Sequence, residues 1–497
     1  KELFFKEDYP DLITANVCSC TIDEGKKVTL LSGNTLGIEF SYSGSGTLIL
    51  EDSANLYQSD DDMINTGIIH LKRNSSPILK SDYVYWSSPV ENQKIIDLSP
   101  NTIWDRFLSY DPVVKNWKVE NSTMSRGIGY IIQGPRDFSS ITRTSYHATF
   151  KGIPHNGKIE VNLGPANSFN LIGNPYPSTL NADTFLKENA SKIKGTIYLW
   201  THNTPITNNK YNTDDYAVYN LLGGVGTRGA LTNGVNEVIP DKTIGSGQAF
   251  FVPSQNTGTS VFNDKMRMKE QNTSFFKPAS SKEIKANEIE KQRIWLNFEN
   301  SEGLFKQIMV GYIEGATNEY DISYDAESFN GNKYADFYSI TANKNLVIQG
   351  RAWPFEKADS VPLGYMSTIG GNFSFSIDHS DAEFSEMNIY IEDKELKLIH
   401  NLKASPYTFK TEKGTFDNRF ELRYLDKELK VDDYNTISNV VFVSVKDKQI
   451  QIDASKEFIK ETEVFDLTGK MLYKKNKINC SSFFIQNLNS GSQVLFV

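Results

Sequence analysis

The histidines and serines of the sequence are the first residues to examine for catalytic or metal-binding spacing. No two histidines stand in the His-x-x-x-His or His-x-His arrangement that places both rings on one metal ion. The Gly-x-Ser-x-Gly motif of a serine nucleophile does not occur. The run Gly223–Gly229 lacks the Gly-Lys-Ser/Thr ending of a phosphate-binding loop, which favours a flexible loop. We therefore expect a protein without enzymatic activity.

Three short acidic clusters are the next candidates, as paired carboxylates or oxygen ligands. They are Asp60-Asp61-Asp62, Asp214-Asp215 and Asp432-Asp433. A glycosidase needs two carboxylates and calcium needs several oxygen ligands, but these clusters are typical of polar turns and show no EF-hand spacing. We expect no cofactor, and Asp60, Asp61 and Asp62 form a weak candidate site for Ca²⁺.

Tryptophans are the remaining candidates, because an indole face can stack on a sugar ring. Trp117 and Trp200 occupy apolar strands or turn ends in the middle of the chain. Such positions favour packing in a hydrophobic core. We expect core packing and keep Trp117 and Trp200 as candidate glycan contacts.

The composition narrows the class of protein. The 497 residues include 52 Lys and Arg against 61 Asp and Glu, a formal charge of −9, which argues against nucleic-acid binding. Mean hydropathy is −0.43, and no run approaches the roughly 18 apolar residues of a membrane helix. Cys18, Cys20 and Cys480 fit buried thiols better than disulfides. With 12% aromatic residues, the composition is typical of a secreted, multidomain all-β protein.

Residues 1–75 contain short apolar strands separated by Gly-, Ser- and Asn-rich turns at intervals of about ten residues. The pattern fits the end of a parallel β-solenoid, and it also fits an ordinary β-meander. We favour the solenoid. Since the sequence starts at Lys1 without an apolar signal segment, we expect a mature product or part of a longer precursor.

The region from 76 to 428 divides into three parts. A series of proline turn, short helix, aromatic strand, polar turn, Gly-x-Gly and apolar strand occurs twice, in 76–150 and 151–262. We expect two related β-rich units in one domain, with their aromatic side chains between the sheets. Residues 263–292 are charged and poor in apolar side chains, which predicts a surface linker. Strand patterns resume over 293–428 and predict a β-sandwich.

Residues 436–497 contain six strand-like segments and predict a small Ig-like β-sandwich. The clearest motif in this region is the Asp-Leu-Thr-Gly-Lys hairpin. It belongs to a set of motif residues, Gln449, Ile450, Ile452, Val464, Phe465, Asp466, Leu467, Thr468, Gly469, Lys470, Tyr473, Gln493, Val494 and Leu495. These motifs resemble the C-terminal sorting domain, of the subtype called C, found in Bacteroidetes type IX secretion substrates. Upstream segments such as Gly173-Asn-Pro-Tyr-Pro-Ser178 resemble those of large Flavobacterium surface proteins that carry this domain.

The resemblance implies a route across the cell envelope. The precursor would enter the periplasm and cross the outer membrane through the large β-barrel of the type IX translocon, while an outer-membrane shuttle barrel recognises the C-terminal domain. Such domains usually continue into a further Lys-rich strand, so the chain looks shortened at its end.

Charge offers a physical basis for recognition of this domain. Eight Lys against six acidic residues give 436–497 a charge of about +2, whereas the rest of the chain carries −11. An acidic partner surface could therefore recognise residues 436–497. Lysines that protect a strand edge from aggregation would give the same pattern.

The sequence thus predicts a non-enzymatic protein that is secreted or held at the cell surface through the type IX system. Its cargo would be a stalk or an adhesin linked to gliding or attachment. The alternative is a secreted polysaccharide-binding or polysaccharide-degrading protein whose active part precedes Lys1. A glycan or a surface, but no nucleic acid, is the expected further partner.

Overall fold

The computed structural model describes residues 1–201, 216–227, 239–269, 272, 291–301, 304–328, 334–426, 441–446, 449–454, 458–466, 468–486 and 495–496. Strands dominate these ranges, which confirms the all-β class. The chain divides into two compact units, Lys1–Asp426 and Lys427–Val497, called here the N-terminal unit and the C-terminal unit. In the described ranges no helix is both long and apolar enough to cross a membrane.

The N-terminal unit begins with a parallel β-solenoid, as expected, and the meander is excluded. Its strands are β1 (Glu2–Phe5), β2 (Tyr9–Leu12), β3 (Ala15–Val17), β4 (Ser19–Ile22), β5 (Lys27–Leu30), β6 (Thr35–Ile38), β7 (Tyr42–Gly44), β8 (Thr47–Leu50), β9 (Asn55–Gln58) and β10 (Ile68–Ile78). They form three faces with the orders β1-β4-β7, β2-β5-β8-β10 and β3-β6-β9, all in parallel register. One coil takes about 20 residues, since Lys27 lies opposite Thr47 and Thr35 opposite Asn55.

Apolar side chains, which alternate with polar ones along each strand, fill the solenoid interior. On β5 and β8, Val28 lies beside Leu48 and Leu30 beside Leu50, and all four side chains are fully buried. Cys20 is also fully buried there, and burial raises the pKa of its thiol to about 12. The side chain therefore packs as a small apolar residue and is a poor nucleophile at neutral pH.

The duplicated region follows, and its strands and helices are listed here in chain order: β11 (Tyr83–Ser87), α1 (Ile95–Leu98), β12 (Phe107–Asp111), β13 (Asn116–Val119), β14 (Gly129–Gln133), β15 (Thr144–Gly152), β16 (Ile159–Leu163), β17 (Phe169–Gly173), β18 (Thr179–Asn181), α2 (Ala182–Glu188), β19 (Ile197–Trp200), β20 (Tyr216–Tyr219), β21 (Gly224–Val225), β22 (Thr243–Ile244), β23 (Ala249–Pro253), β24 (Gly258–Phe262) and β25 (Arg267–Met268). The helix α2 is capped by the Asn181 carboxamide, which accepts from Thr184 N at 2.9 Å.

The two copies have equivalent sheets. The first has the order β11-β14-β12-β13 and the second the order β17-β23-β19-β20-β21. In each sheet the strand that comes last in the chain, β14 or β23, lies between the first two strands of that sheet, β11 and β12 or β17 and β19. Because the sequence order of the elements is also the same, a common topology accounts for the repeat seen in the sequence.

The segment 263–269 is packed, in contrast to the surface linker expected over 263–292. Asp264, Met266 and Arg267 are buried between the solenoid and the second copy. At the other end, β26 already starts at Lys291. Charged residues in a sequence usually indicate solvent exposure, but here Asp264 and Arg267 form an ion pair in the interior. Residues 273–290 lie outside the described ranges.

The predicted sandwich consists of one sheet that folds over a core. Its strands are β26 (Lys291–Asn300), β27 (Phe305–Ile313), β28 (Ala326–Glu327), β29 (Ala335–Thr341), β30 (Lys344–Arg351), β31 (Ser360–Ser367), β32 (Gly371–Ser380), β33 (Tyr390–Asp393), β34 (Leu398–Asn401), β35 (Tyr407–Thr411) and β36 (Gly414–Arg423). The order is β34-β33-β36-β31-β29-β30-β27-β26-β32-β35, and β28 pairs with β30. The ring centres of Phe409 on β35 and Phe420 on β36 lie 4.6 Å apart, so strands far apart in this order meet across the core.

The C-terminal unit is a small sandwich of two three-stranded sheets. The strands are β37 (Phe442–Lys446), β38 (Gln449–Asp453), β39 (Ile459–Asp466), β40 (Met471–Cys480), β41 (Ser482–Ile485) and β42 (Leu495–Phe496). The sheets have the orders β37-β38-β41 and β40-β39-β42. Ile450, Ile452, Val464 and Ile485 form the centre of its core.

Candidate functional site

The Asp-Leu-Thr-Gly-Lys segment forms the turn between β39 and β40. The Asp466 Oδ1 accepts from Thr468 N at 2.9 Å, from the Thr468 hydroxyl at 2.6 Å and from Lys470 N at 3.0 Å. These hydrogen bonds hold the pKa of the Asp466 carboxyl below its usual range. Gly469 has a φ of +80°, a conformation that an L side chain rarely adopts. The sequence of this hairpin is therefore explained by its turn geometry.

The other residues that carry the resemblance to a sorting domain divide between core and surface. Ile450, Ile452 and Val464 are buried, while Gln449, Phe465 and Tyr473 are half-buried. Thr468, Gly469 and Lys470 are exposed. The backbone of Leu495 pairs with Asp466, which ties β42 to the start of the turn. Leu467, Gln493 and Val494 lie outside the described residues.

The C-terminal unit presents apolar and basic side chains at its surface. A groove of about 730 Å³ is lined by residues of β37, β38 and β39, among them Val443, and by Val441 and Phe458, which directly precede β37 and β39. Phe458 is 70% exposed. Lys474 on β40 pairs with Glu463 on β39, and Lys470 and Lys475 are exposed nearby along the hairpin. An exposed apolar groove is a common feature of surfaces that bind another protein.

The structure places the two candidate tryptophans in one aromatic cluster between the duplicated sheets. Trp200 is 6% exposed, stacks on Tyr85 at 5.4 Å, and donates its indole N–H to Tyr83 O at 2.9 Å. Trp117 is half-buried and meets Phe251 edge-on at 6.0 Å. Trp200 is therefore packed in the core, in keeping with the expected core packing, while Trp117 stays a candidate glycan contact.

The carboxylates of Asp60 and Asp61 in the acidic cluster Asp60–Asp62 accept hydrogen bonds from backbone N–H groups. Asp60 Oδ1 accepts from Asp62 N at 3.0 Å, and Asp61 Oδ1 accepts from Asp264 N at 2.8 Å. The two carboxylates thus serve different segments and do not converge on one point. Within the ranges described above, no three His, Cys, Asp or Glu side chains are grouped as metal ligands would be.

A polar cleft that the sequence did not indicate lies between the second copy and the folded sheet, inside the N-terminal unit. It has a volume of about 400 Å³. We call it the Tyr320 cleft, and its lining residues are Asn167, Phe169, Lys194, Thr196, Tyr198, Pro253, Tyr320, Asp325, Glu327, Ser328 and Lys344. Three aromatic rings, two ammonium groups and two carboxyl groups thus line one space.

Glu327 is at the centre of the charges in the Tyr320 cleft. Its Oε1 lies 2.5 Å from Lys344 Nζ and 3.9 Å from Lys194 Nζ, and it accepts from the Tyr320 hydroxyl at 3.2 Å. These donors hold the pKa of Glu327 below its usual range despite partial burial. Lys344 Nζ also lies 4.4 Å from the centre of the Tyr320 ring. The cleft therefore contains a fixed carboxylate between two lysines.

Asp325 forms the floor of the cleft and is buried. Its two oxygens accept from Gly350 N at 2.8 Å and Asp321 N at 2.7 Å. Burial raises the pKa of Asp325 to about 7, because desolvation of the carboxylate outweighs these two hydrogen bonds. Sequence reasoning missed this site because no local motif marks it. The Tyr198 hydroxyl donates to the Glu327 backbone carbonyl at 3.3 Å, although the two residues are 129 positions apart in the sequence.

Comparison with known proteins gives two family matches. A model described as Domain of unknown function (DUF8693) matches residues 8–424, and a model described as Domain of unknown function (DUF8694) matches residues 429–497. No curated protein and no solved structure matches the chain. The division between the two matches falls at the division between the two compact units.

Proposed function

The chain belongs to the DUF8693 family, and we propose that it is a non-enzymatic secreted or surface protein whose C-terminal unit is an export address for the type IX system. The observation that carries the proposal is the compactness of Lys427–Val497, which has its own core and the constrained hairpin at Asp466. A folded module at one end of a chain can be bound independently of its cargo.

Recognition would use the surface of the C-terminal unit. The groove beside Val443 and Phe458 supplies apolar contact area, and the lysines of the hairpin supply positive charge. The proposed partner is the outer-membrane shuttle barrel, with an acidic surface that complements these lysines. The N-terminal unit is then the cargo, and its solenoid and stacked sheets suit a stalk or an adhesin.

Deletion of residues 436–497 tests this proposal in a Bacteroidetes host with a working type IX system. We expect the shortened protein to remain in the periplasm while the full chain reaches the cell surface, as measured by surface proteolysis and fractionation. Replacement of Lys470 and Lys475 by Glu should reduce export, whereas Lys72→Met in the solenoid should not. Normal surface display of the deletion variant would refute the address role.

The alternative function, polysaccharide binding, is favoured by one specific observation. The Tyr320 cleft contains rings and charged groups in a space of about 400 Å³. Binding there concerns the cargo and not the export address, so the two functions are compatible.

A further inference from the structure

The Tyr320 cleft has the dimensions of a small-ligand site. Its volume of about 400 Å³ lies in the usual range of roughly 300–1,000 Å³. Phe169 and Tyr320 are half-buried, so part of each ring is accessible. Such a space accommodates one or two sugar rings, with C–H groups against the aromatic faces.

The walls of the cleft are held rigidly before any ligand binds. Asp321 accepts from the Thr317 hydroxyl at 2.9 Å, and Asp325 holds both Asp321 N and Gly350 N. Gly195, at a φ of +59°, lets the opposite wall approach, because a Cβ there would lie 2.4 Å from Ile322 O. Preorganised groups of this kind cost little entropy to order when a ligand binds.

The charged groups favour a ligand with hydroxyls and one negative charge. Each lysine ammonium has three N–H donors. The contacts described above from Lys194, Lys344 and Tyr320 to Glu327 all involve the Oε1 atom of Glu327. A neighbouring Glu and Lys can accept from one sugar hydroxyl and donate to the next. Lys194 and Lys344 together outnumber Glu327 by one charge, and Asp325, with a pKa of about 7, is only partly ionised at neutral pH.

We propose that the Tyr320 cleft binds an acidic saccharide, with the sugar carboxylate at Lys194 and Lys344, its hydroxyls at Glu327 and its ring against Tyr320. The cleft would then be the glycan contact of this protein, in place of Trp200. A phosphate or sulfate ion alone would satisfy the lysines but would make no use of the rings.

Isothermal titration calorimetry of the full chain with trigalacturonate tests the proposal, in which one ring and its carboxylate occupy the charged part of the cleft and the remaining rings extend out of it. The fully methyl-esterified trisaccharide is the matched ligand, since it keeps the shape and loses the charge. We expect trigalacturonate to bind at least tenfold more tightly than its ester. Lys344→Met and Lys194→Met should each weaken trigalacturonate binding about tenfold or more, and Tyr320→Ala should weaken both ligands.

Lys269→Met is the matched control variant. Lys269 Nζ lies 5.0 Å from the centre of the Tyr57 ring in the solenoid, a similar contact away from the cleft. We expect its affinity for trigalacturonate to equal that of the unaltered chain, with all variants checked for unchanged thermal unfolding. The proposal is overturned if the full chain binds no trigalacturonate at 10 mM, if the ester binds equally well, or if the cleft variants behave like Lys269→Met. Equal binding of sodium phosphate, with no effect of Tyr320→Ala, would also overturn it.

Discussion

Replacement of Arg267 should destabilise the N-terminal unit more than any change at an exposed ion pair. Its side chain is 0% exposed, as is that of Asp264, and their charged atoms lie 3.1 Å apart. The guanidinium also donates to Ser178 Oγ at 2.7 Å, to Asn156 Oδ1 at 2.6 Å and to Leu56 O at 2.7 Å. One residue thus joins the solenoid, the second copy and β25.

The expected magnitude follows from this burial. Removing one partner of a buried ion pair leaves an uncompensated charge and costs about 3–5 kcal/mol. Arg267→Met keeps the apolar stem but leaves Asp264 and three further acceptors without their donor, so we expect a loss of about 4 kcal/mol. Against a total stability of roughly 5–15 kcal/mol, this is a large fraction.

Urea unfolding of the full chain, followed by tryptophan fluorescence, measures the loss, and hydrogen exchange localises it to β9 and β18. Asp264→Asn added to Arg267→Met should restore part of the stability, because the buried charge is then absent. Lys72→Met is the control, since Lys72 pairs with Glu51 at 2.6 Å with 46% and 31% of the side chains exposed. Its expected cost is below about 1 kcal/mol. Equal losses in Arg267→Met and Lys72→Met would refute the reasoning.

Two further predictions concern a buried histidine and the hairpin of the C-terminal unit. Burial lowers the pKa of His155 to about 4, so between pH 6.5 and 4 the unfolded chain binds a proton that the native state does not. Stability should therefore fall by on the order of 3 kcal/mol as the pH decreases through this range, and urea midpoints at pH 7 and 4.5 should show a smaller fall in His155→Gln. Gly469→Ala should destabilise the β39–β40 hairpin by about 1 kcal/mol, because an L residue rarely adopts a φ of +80°. The added Cβ meets no atom within 4 Å, so the backbone conformation alone accounts for this cost. Hydrogen exchange of the hairpin amides measures this loss, and unchanged protection would contradict it.

Local pattern in the sequence was sufficient for the all-β class, the solenoid and the repeat. Turn residues at short intervals indicate the coils of the solenoid, and the repeated order of proline turn, helix and Gly-x-Gly indicates the duplicated sheets. Both signals are local, since each strand and turn depends mainly on nearby residues. The strand segments expected after 436 also match β37–β42 in the described ranges.

Contacts between distant segments could not be predicted in this way. Arg267 lies in a stretch whose composition indicates a linker, yet its partners Leu56 and Asn156 are 211 and 111 residues away. The Tyr320 cleft could not be predicted for the same reason, because its two walls come from different parts of the chain. One sequence carries no signal for such pairs unless a motif spans them.

The duplication explains why Trp200 is buried and why other aromatic rings stay partly accessible at the edge of the second sheet. Each sheet is rich in aromatic residues, and the two sheets bury these against each other: Tyr85 of the first copy stacks on Trp200 of the second, and its hydroxyl lies 2.6 Å from that of Tyr216. Rings that would be exposed on a single sheet are thereby used for packing. Phe169, on the edge strand β17, remains half-buried, and the segment containing Tyr320 completes a polar wall opposite it. Pairing of the copies thus shifts the accessible aromatic surface to the edge of the second sheet, where charged residues from another part of the chain can act with it.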